Sequence, residues 1–311
     1  MLKVAIIGAG VVGTAMGYLL KKRGYAVAGI ASRTMDSAKK AREFIGSGIA
    51  STDLSSISGT ADIVFITTSD SAIKGVCKKI ASAKGFKKGS VVFHTCGALS
   101  SKALLPAKKR GAYIASLHPL QSLASVKEAV RRIPGSYFSV EGDQEAVSVA
   151  RNIIAALQGK EIALEEWKKT LYHAGACAAS NFLVAAVGFG MELFEAAGIN
   201  RKYSLKALMP LIKGTVKNID KLGIPSALTG PIARGDAIIV SNHLKALSRS
   251  RKDLIDLYAE LGRYTVKIGA EKGTLNSQNA LKIISLFDVY QKKKYDPSLN
   301  FCNTYGKEKK I

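Results

Sequence analysis

The chain has 311 residues and a hydrophobic fraction of 47%, enough for about two folded domains, which excludes a disordered or peptide-like chain. Its formal net charge is +23, yet the basic residues fall in short scattered clusters such as Lys21-Lys22-Arg23 and Lys108-Lys109-Arg110, without aromatic interleaving. That pattern argues against specific nucleic-acid binding and for a basic face that steers anions.

The opening run Val4-Ala5-Ile6-Ile7 passes directly into Gly8-Ala9-Gly10-Val11-Val12-Gly13, and a helical pattern follows from Thr14 to Lys22. A buried strand, a Gly-x-Gly-x-x-Gly turn and a helix in that order point to a dinucleotide-binding unit. Gly8 allows the tight turn, Gly10 lets the backbone approach a pyrophosphate, and Gly13 lets helix and strand pack closely. Val11 and Val12 then present backbone N–H groups at a helix N-terminus, where an anion is favoured.

The second strand is expected over Tyr25 to Ile30, followed by Ser32, Arg33 and Thr34, with no acid before Asp36. An NAD site usually places Asp or Glu here to bind the ribose 2′-hydroxyl. A hydroxyl and a guanidinium suit a 2′-phosphate instead, so NADP (as NADPH) is the expected cofactor, held by Gly8, Gly10, Val11, Val12, Gly13, Ser32 and Arg33.

Further strands are expected at Ala61 to Thr68, Ser90 to Phe93, Tyr113 to Leu117 and Tyr137 to Val140, alternating with helical stretches. The fold class is therefore α/β, with a doubly wound, mostly parallel Rossmann sheet over residues 1–159. Ligands in such sheets lie outside the carboxyl ends of the strands. Thr67 and Thr68 stand at one such end and are expected to line the cofactor channel. His118, followed by Pro119-Leu120-Gln121-Ser122, stands at another and is a candidate to touch substrate or nicotinamide.

Beyond residue 159 the period turns helical, which predicts a separate all-α domain over 160–290 for substrate binding and dimerisation. A long apolar helix is expected over Glu165 to Ala197, and it places Lys169, His173, Cys177 and Asn181 on one stripe. His173 and Asn181 are the ligand-facing candidates, with Ser180 beside them. In Leu228-Thr229-Gly230-Pro231, Thr229 is expected to cap a helix that starts near Pro231. Arg234, within two turns of that start, is then a candidate for a substrate carboxylate. Residues 291–311 form a basic tail with little periodicity, expected to be mobile.

No metal site is expected, since Cys77, Cys96, Cys177 and Cys302 form no Cys-x-x-Cys pair. Their number and spacing suit a reducing compartment. No apolar stretch is read as reaching the ~20 residues of a membrane span. A strand that begins almost at Met1 leaves no room for a signal peptide, so a cytoplasmic location without a membrane partner is expected.

On the Gly8 to Gly13 fingerprint, the His118 to Ser122 strand end, the Tyr172-His173 to Ser180-Asn181 helix and the Thr229 to Asp236 turn, the chain resembles a family of bacterial and archaeal proteins. These pair a Rossmann-like domain with a helical C-terminal domain of formerly unassigned function. They are related to pyrroline-5-carboxylate reductases, prephenate dehydrogenases and the 6-phosphogluconate dehydrogenase superfamily. The resemblance implies an NADP-dependent oxidoreductase, a homodimer, and hydride transfer to a small anionic 2-oxo acid, with ketopantoate one such substrate. The alternatives are an imine reductase of the pyrroline-5-carboxylate type and a non-catalytic NADP-binding sensor. His118, His173 and Asn181 would be the catalytic residues; Ser180, Thr229 and Arg234 would bind substrate. The chain departs from related hydroxyacid dehydrogenases and ketopantoate reductases in one place: the lysine they carry four residues before the helix asparagine is here Cys177. A histidine or a bound water would have to supply the proton.

Overall fold

The computed structural model describes residues 1–294. Two compact units divide the chain, Met1–Leu183 and a second beginning at Val184.

The first unit is built on one sheet of eight strands: β1 (Lys3–Ile7), β2 (Ala26–Ala31), β3 (Ile49–Ser51), β4 (Ile63–Ile66), β5 (Val91–His94), β6 (Tyr113–Pro119), β7 (Tyr137–Gly142) and β8 (Lys160–Ala163). Their order is β3-β2-β1-β4-β5-β6-β7-β8. The first six run parallel, β7 is antiparallel to β6, and β8 is parallel to β7. The expected doubly wound sheet is thus observed, with two strands beyond those read from the sequence. β3 has three residues and β8 four, too short for a pattern to stand out. β8 also begins at Lys160, so the sheet continues past the boundary expected at residue 159.

The helices of this unit are α1 (Val11–Lys22), α2 (Met35–Ile45), α3 (Leu54–Gly59), α4 (Asp70–Ser82), α5 (Leu105–Lys108), α6 (Val126–Arg132) and α7 (Gln144–Ala156). Alternation along the strands sends successive side chains to two separate cores. Val4, Ile6, Phe65, Phe93, Leu117 and Phe138 pack on one face with the helix residues Met16 and Ile153. Ala5, Ile7, Val64, Ile66 and Val92 pack on the other with Ile73, Cys77 and Ile80 of α4. Burying a large aliphatic side chain is worth about 1.5–3 kcal/mol, so these two layers hold the strand ends in place.

On β6 and β7 the second face turns polar. Ser116 pairs with Glu141 and His118 with Ser139 across the antiparallel ladder, and His94 of β5 pairs with Ser116. Residues opposite one another share a face. His94, Ser116, Ser139 and Glu141 are all buried.

A single helix, α8 (Lys169–Ala196), leaves the first unit and runs into the second. Together with the turn before it, Glu166–Ala196 is, by length and composition, long and apolar enough to cross a membrane. This corrects the expectation that no stretch reaches that length. At its start the helix packs into the sheet unit, where Lys169 is buried and Tyr172 bonds His118.

The second unit contains α9 (Arg201–Leu222), α10 (Ile224–Ala227), α11 (Ala237–Ser250), α12 (Ile255–Glu271) and α13 (Ser277–Lys294). Its core joins Val240, Leu244 and Leu247 of α11 to Ile255, Ala259 and Val266 of α12 and to Ile283 and Phe287 of α13. The Phe287 ring lies so close over Gly262 that a Cβ there would come within 2.4 Å of it. The all-α character expected from the sequence is observed here. α13 runs to Lys294, so residues 291–294 of the expected tail are helical; the rest of that tail, with Cys302, lies outside the described residues.

Candidate active site

The glycine turn between β1 and α1 is shaped by close backbone approach. Gly8 has φ +114°, and a Cβ there would meet the Thr67 carbonyl carbon at 2.7 Å and the Thr68 nitrogen at 2.8 Å. A Cβ on Gly13 would meet the Gly8 carbonyl oxygen and Thr67 Oγ1, each at 2.2 Å. Gly10 differs: the nearest described atom to a Cβ there is 3.9 Å away, so no described residue demands glycine at that position. It is also the N-cap of α1 and caps it with no side chain. The first N–H groups of a helix need partners from outside it. An exposed glycine before an uncapped helix start fits a dinucleotide pyrophosphate, which would use both the open space and the N–H groups of Val11 to Gly13.

Thr67 helps to hold this turn. Its Oγ1 donates to the Gly8 carbonyl at 2.8 Å, and its N–H donates to the Ile7 carbonyl at 2.8 Å. The hydroxyl expected to line a cofactor channel is thus spent on the loop, whereas Thr68 is half-buried beside it.

At the end of β2, Thr34 caps α2 by accepting from the Ser37 N–H at 3.3 Å. Asp36, the first acid after the strand, lies inside α2 and pairs with Lys40 at 2.9 Å. Ser32 is half-buried. Arg33 is exposed and makes no hydrogen bond or ion pair to another described residue.

The other strand-end cluster sits at β6. His118 Nδ1 lies 3.0 Å from the Tyr172 hydroxyl, with the rings edge to face at 5.8 Å. His173, the next residue on α8, reaches the same place. Gly97, just after β5, leaves room for both rings: a Cβ on it would come within 2.7 Å of His173 Cδ2 and 3.0 Å of His118 Nε2. One turn farther along, Cys177 Sγ lies 3.8 Å from His173 Nδ1. These residues line an open cleft of about 800 Å³ together with Gln121, Ser122, Ser180 and Asn181. Ser180 and Asn181 are exposed, and neither side chain is bonded to another described residue. The structure thus gathers His118, His173, Ser180 and Asn181 on one cleft, as the sequence suggests, and adds Tyr172 as the direct partner of His118.

Beneath the cleft lies the polar face of the sheet. Glu141 is buried and accepts from Ser101 twice, from its N–H at Oε1 and from its hydroxyl at Oε2, each at 2.8 Å. Burial raises its pKa, against the pull of Ser101 and Lys169. Lys169 is 1% exposed, and its Nζ has no hydrogen-bond partner. Burial lowers its pKa, and Glu141 opposes that shift. Burial also pushes His118 down to about 4, helped by the positive charge of Lys169. Near neutral pH the His118 ring is therefore neutral. His94 is fixed on both sides, accepting from the Cys96 N–H at Nδ1 and bonding the Ser100 carbonyl through Nε2 at 3.0 Å. Burial holds its pKa at about 4, and its role is structural.

Lys169, Gly97, Ser139 and Glu141 do not stand out as site residues in the sequence. The signal for two of them is there: Ser139-Val140-Glu141 repeats the polar-apolar-polar alternation of Ser116-Leu117-His118 in the neighbouring strand.

Thr229 and Arg234 belong to the second unit, in which Thr229 caps no helix. The chain turns through residues 230–235, and α11 starts at Ala237 with Asp236 as its cap, accepting from the Ile239 N–H at 3.2 Å. Gly235, with φ +72°, sets that turn. Arg234 is exposed and, with Asp236 spent on the cap, has no ion pair among the described residues.

Comparison with known proteins agrees with this architecture. Residues 1–119 match a Rossmann-like domain, and residues 136–265 match a domain of unknown function (DUF2520). A protein from Thermotoga maritima of known structure is 26% identical, with a TM-score of 0.70 over 86% of this chain and 99% of that one. A protein of Bacteroides fragilis, provisionally named an NADP oxidoreductase, is 21% identical with a TM-score of 0.69, over 86% of this chain and 98% of that one. An imine reductase from a Pseudomonas species shares the fold at 16% identity and a TM-score of 0.53, covering 94% of each chain. No curated protein matches the chain significantly. With the glycine turn at one end of the sheet and the paired histidine and tyrosine at another, the chain carries a Rossmann-like domain followed by a DUF2520 domain.

Proposed function

We propose that this protein is an NADP-dependent oxidoreductase that reduces a polarised C=O or C=N bond of a small carboxylate-bearing substrate. The observation that carries the reading is Gly10. It stands at the start of α1 with open space where a side chain would be, and no described residue accounts for the glycine. A bound pyrophosphate accounts for it. Arg33, past the end of β2 and without an acidic partner among the described residues, supports a 2′-phosphate, since it has a charge to offer.

A reduced nicotinamide bound across these strand ends would supply hydride. The residues of the cleft do the rest. Neutral His118 and Tyr172 form a hydrogen-bonded pair that offers an N–H or O–H to the heteroatom as charge develops on it. Positioned acids of this kind contribute about 10²–10⁴-fold. Asn181 has a free amide in the same cleft and orients the substrate; Ser180 stands beside it. A 2-oxo acid such as ketopantoate is the first substrate to try. A cyclic imine such as pyrroline-5-carboxylate is the second, because a neutral donor pair serves either heteroatom.

A homodimer fits the surface of α8. Leu171, Phe182 and Val184 on that helix are 76%, 66% and 73% exposed. Exposed large apolar side chains along a helix are candidates for an association site, and a second copy of the chain is the partner we propose.

The test is spectrophotometric: follow NADPH oxidation with ketopantoate, pyrroline-5-carboxylate and related 2-oxo acids and imines. Turnover on any of them supports an oxidoreductase. Tight NADPH binding with no turnover on the whole panel favours a cofactor-binding sensor.

A further inference from the structure

On one face of the sheet Val92 and Ile114 belong to the apolar core, and two residues later on the same strands stand His94 and Ser116. Glu141 of β7 completes a row across three strands, since His94 pairs with Ser116 and Ser116 with Glu141. All three are buried. A valine or isoleucine at each place would continue the core, whereas a buried polar group is costly unless it is bonded. What all three bond is one segment, the loop after β5.

His94 Nδ1 accepts from the Cys96 N–H at 3.2 Å, which leaves Nε2 to donate to the Ser100 carbonyl at 3.0 Å. The Ser116 hydroxyl donates to the Cys96 carbonyl at 3.4 Å. Glu141 takes the Ser101 N–H on Oε1 and the Ser101 hydroxyl on Oε2. Residues 95–100 are neither helix nor strand, so side chains supply the partners that a ladder would otherwise give their backbone. At the middle of this loop is Gly97, whose backbone lies against the His118 and His173 rings. His118 is thus held on two edges, by Tyr172 at Nδ1 and by Gly97 at Cε1 and Nε2.

We propose that Glu141 is a positioning residue of the cleft: by holding both donors of Ser101 it fixes the loop, and with it the place against Gly97 where the His118 and His173 rings stand. The purpose rests on the oxidoreductase reading, but the placement of the rings can be measured without turnover. The near end of the loop is set by its continuity with β5. The far end is held at Ser100, by His94 and by Glu166 at 3.0 Å, and at Ser101 by Glu141. A carboxylate offers two acceptor oxygens side by side, matched to the N–H and O–H of one serine. Glu141 touches neither ring among its hydrogen bonds, so it acts through the loop.

The experiment uses the full-length protein with labelled histidine rings, in which His118→Asn and His173→Asn assign two of the NMR signals. Glu141→Met keeps the length of the side chain and removes both acceptors. The His118 and His173 signals should shift in it, and that of His243 in the second unit should not. Ser101→Ala removes one of the two bonds, should shift the same two signals by less, and serves if the Met variant does not fold. Glu141→Gln keeps an oxygen for the N–H and turns its amide to the hydroxyl oxygen, so both signals should stay close to wild type. Val140→Ala, buried on the opposite face of the same strand, should lower stability and leave both rings in place. With a substrate, Glu141→Met should lower kcat by about 10–100-fold while KM for NADPH changes by less than about twofold. Ring signals unmoved in Glu141→Met and Ser101→Ala, or moved as far in Val140→Ala, overturn the proposal. A wild type inactive on every substrate, with rings that move in Glu141→Met, leaves it standing and removes the oxidoreductase reading instead.

Discussion

His118 Nδ1 and the Tyr172 hydroxyl, 54 residues apart in the chain, meet at 3.0 Å over the carboxyl edge of the sheet. The strand brings one and the first turn of α8 brings the other, so the contact ties the sheet to the helix at the place where chemistry is proposed. Removing the hydroxyl by Tyr172→Phe leaves the imidazole without its partner. The expected result is a fall in kcat of roughly tenfold or more, the loss that about 1–3 kcal/mol of unsatisfied hydrogen bonding brings. Cofactor affinity should be unchanged; steady-state kinetics with a fluorescence titration of NADPH checks both.

Gly97 is where two histidine rings share the space of one missing side chain. In Gly97→Ala the new Cβ meets His173 at 2.7 Å and His118 at 3.0 Å, so both rings must move. Displacing catalytic groups by about 1 Å can cost about 10²-fold. The expected result is a strong loss of turnover with NADPH binding retained. Wild-type turnover would place the chemistry elsewhere.

Arg33 is expected to carry the choice between cofactors. Arg33→Ala should weaken NADPH by about 10–100-fold, as for a hydrogen bond to a charged group worth about 1.5–3 kcal/mol. NADH, which lacks the 2′-phosphate, should be little affected. Equal losses for both, measured side by side, would remove Arg33 from the cofactor site.

The buried histidines give the protein a pH dependence of known sign. His94 and His118 are both held at about 4 in the folded chain, whereas a free imidazole titrates at about 6.5. The unfolded chain therefore binds protons that the folded one does not as pH falls through this window. Stability is full above about pH 6.5 and is lost as pH drops toward about 4. For the fully buried His94 the loss is roughly 3 kcal/mol. Glu141, raised by burial, opposes the slope in part. Urea unfolding from neutral to acid pH should show the decline, and His118→Asn should show less of it. An equal slope in that variant would contradict the assignment for His118.

The architecture was legible where the sequence carries periodicity. The apolar run before Gly8, the glycine spacing and the alternation of strand and helix give the parallel sheet, and Lys169, His173, Cys177 and Asn181 mark one stripe of α8. What was not legible depends on distance in space. Lys169 shares the stripe of His173 and Asn181, but only the fold shows it buried. Thr67 looks like a cofactor ligand until its hydroxyl is found on Gly8. Thr229-Gly230-Pro231 has the composition of a helix start, but Gly235 extends the turn and passes the cap to Asp236. β3 and β8 are too short for alternation to register.

The most direct test of the account is a calorimetric titration with NADPH of the wild type and of Gly10→Ala. A Cβ at residue 10 meets no described atom closer than 3.9 Å, so the variant should unfold at the wild-type temperature. The wild type should bind NADPH saturably, and Gly10→Ala should bind it at least about tenfold more weakly, a loss of about 1.4 kcal/mol. A flat titration of the wild type, or equal binding by the alanine variant, would contradict it.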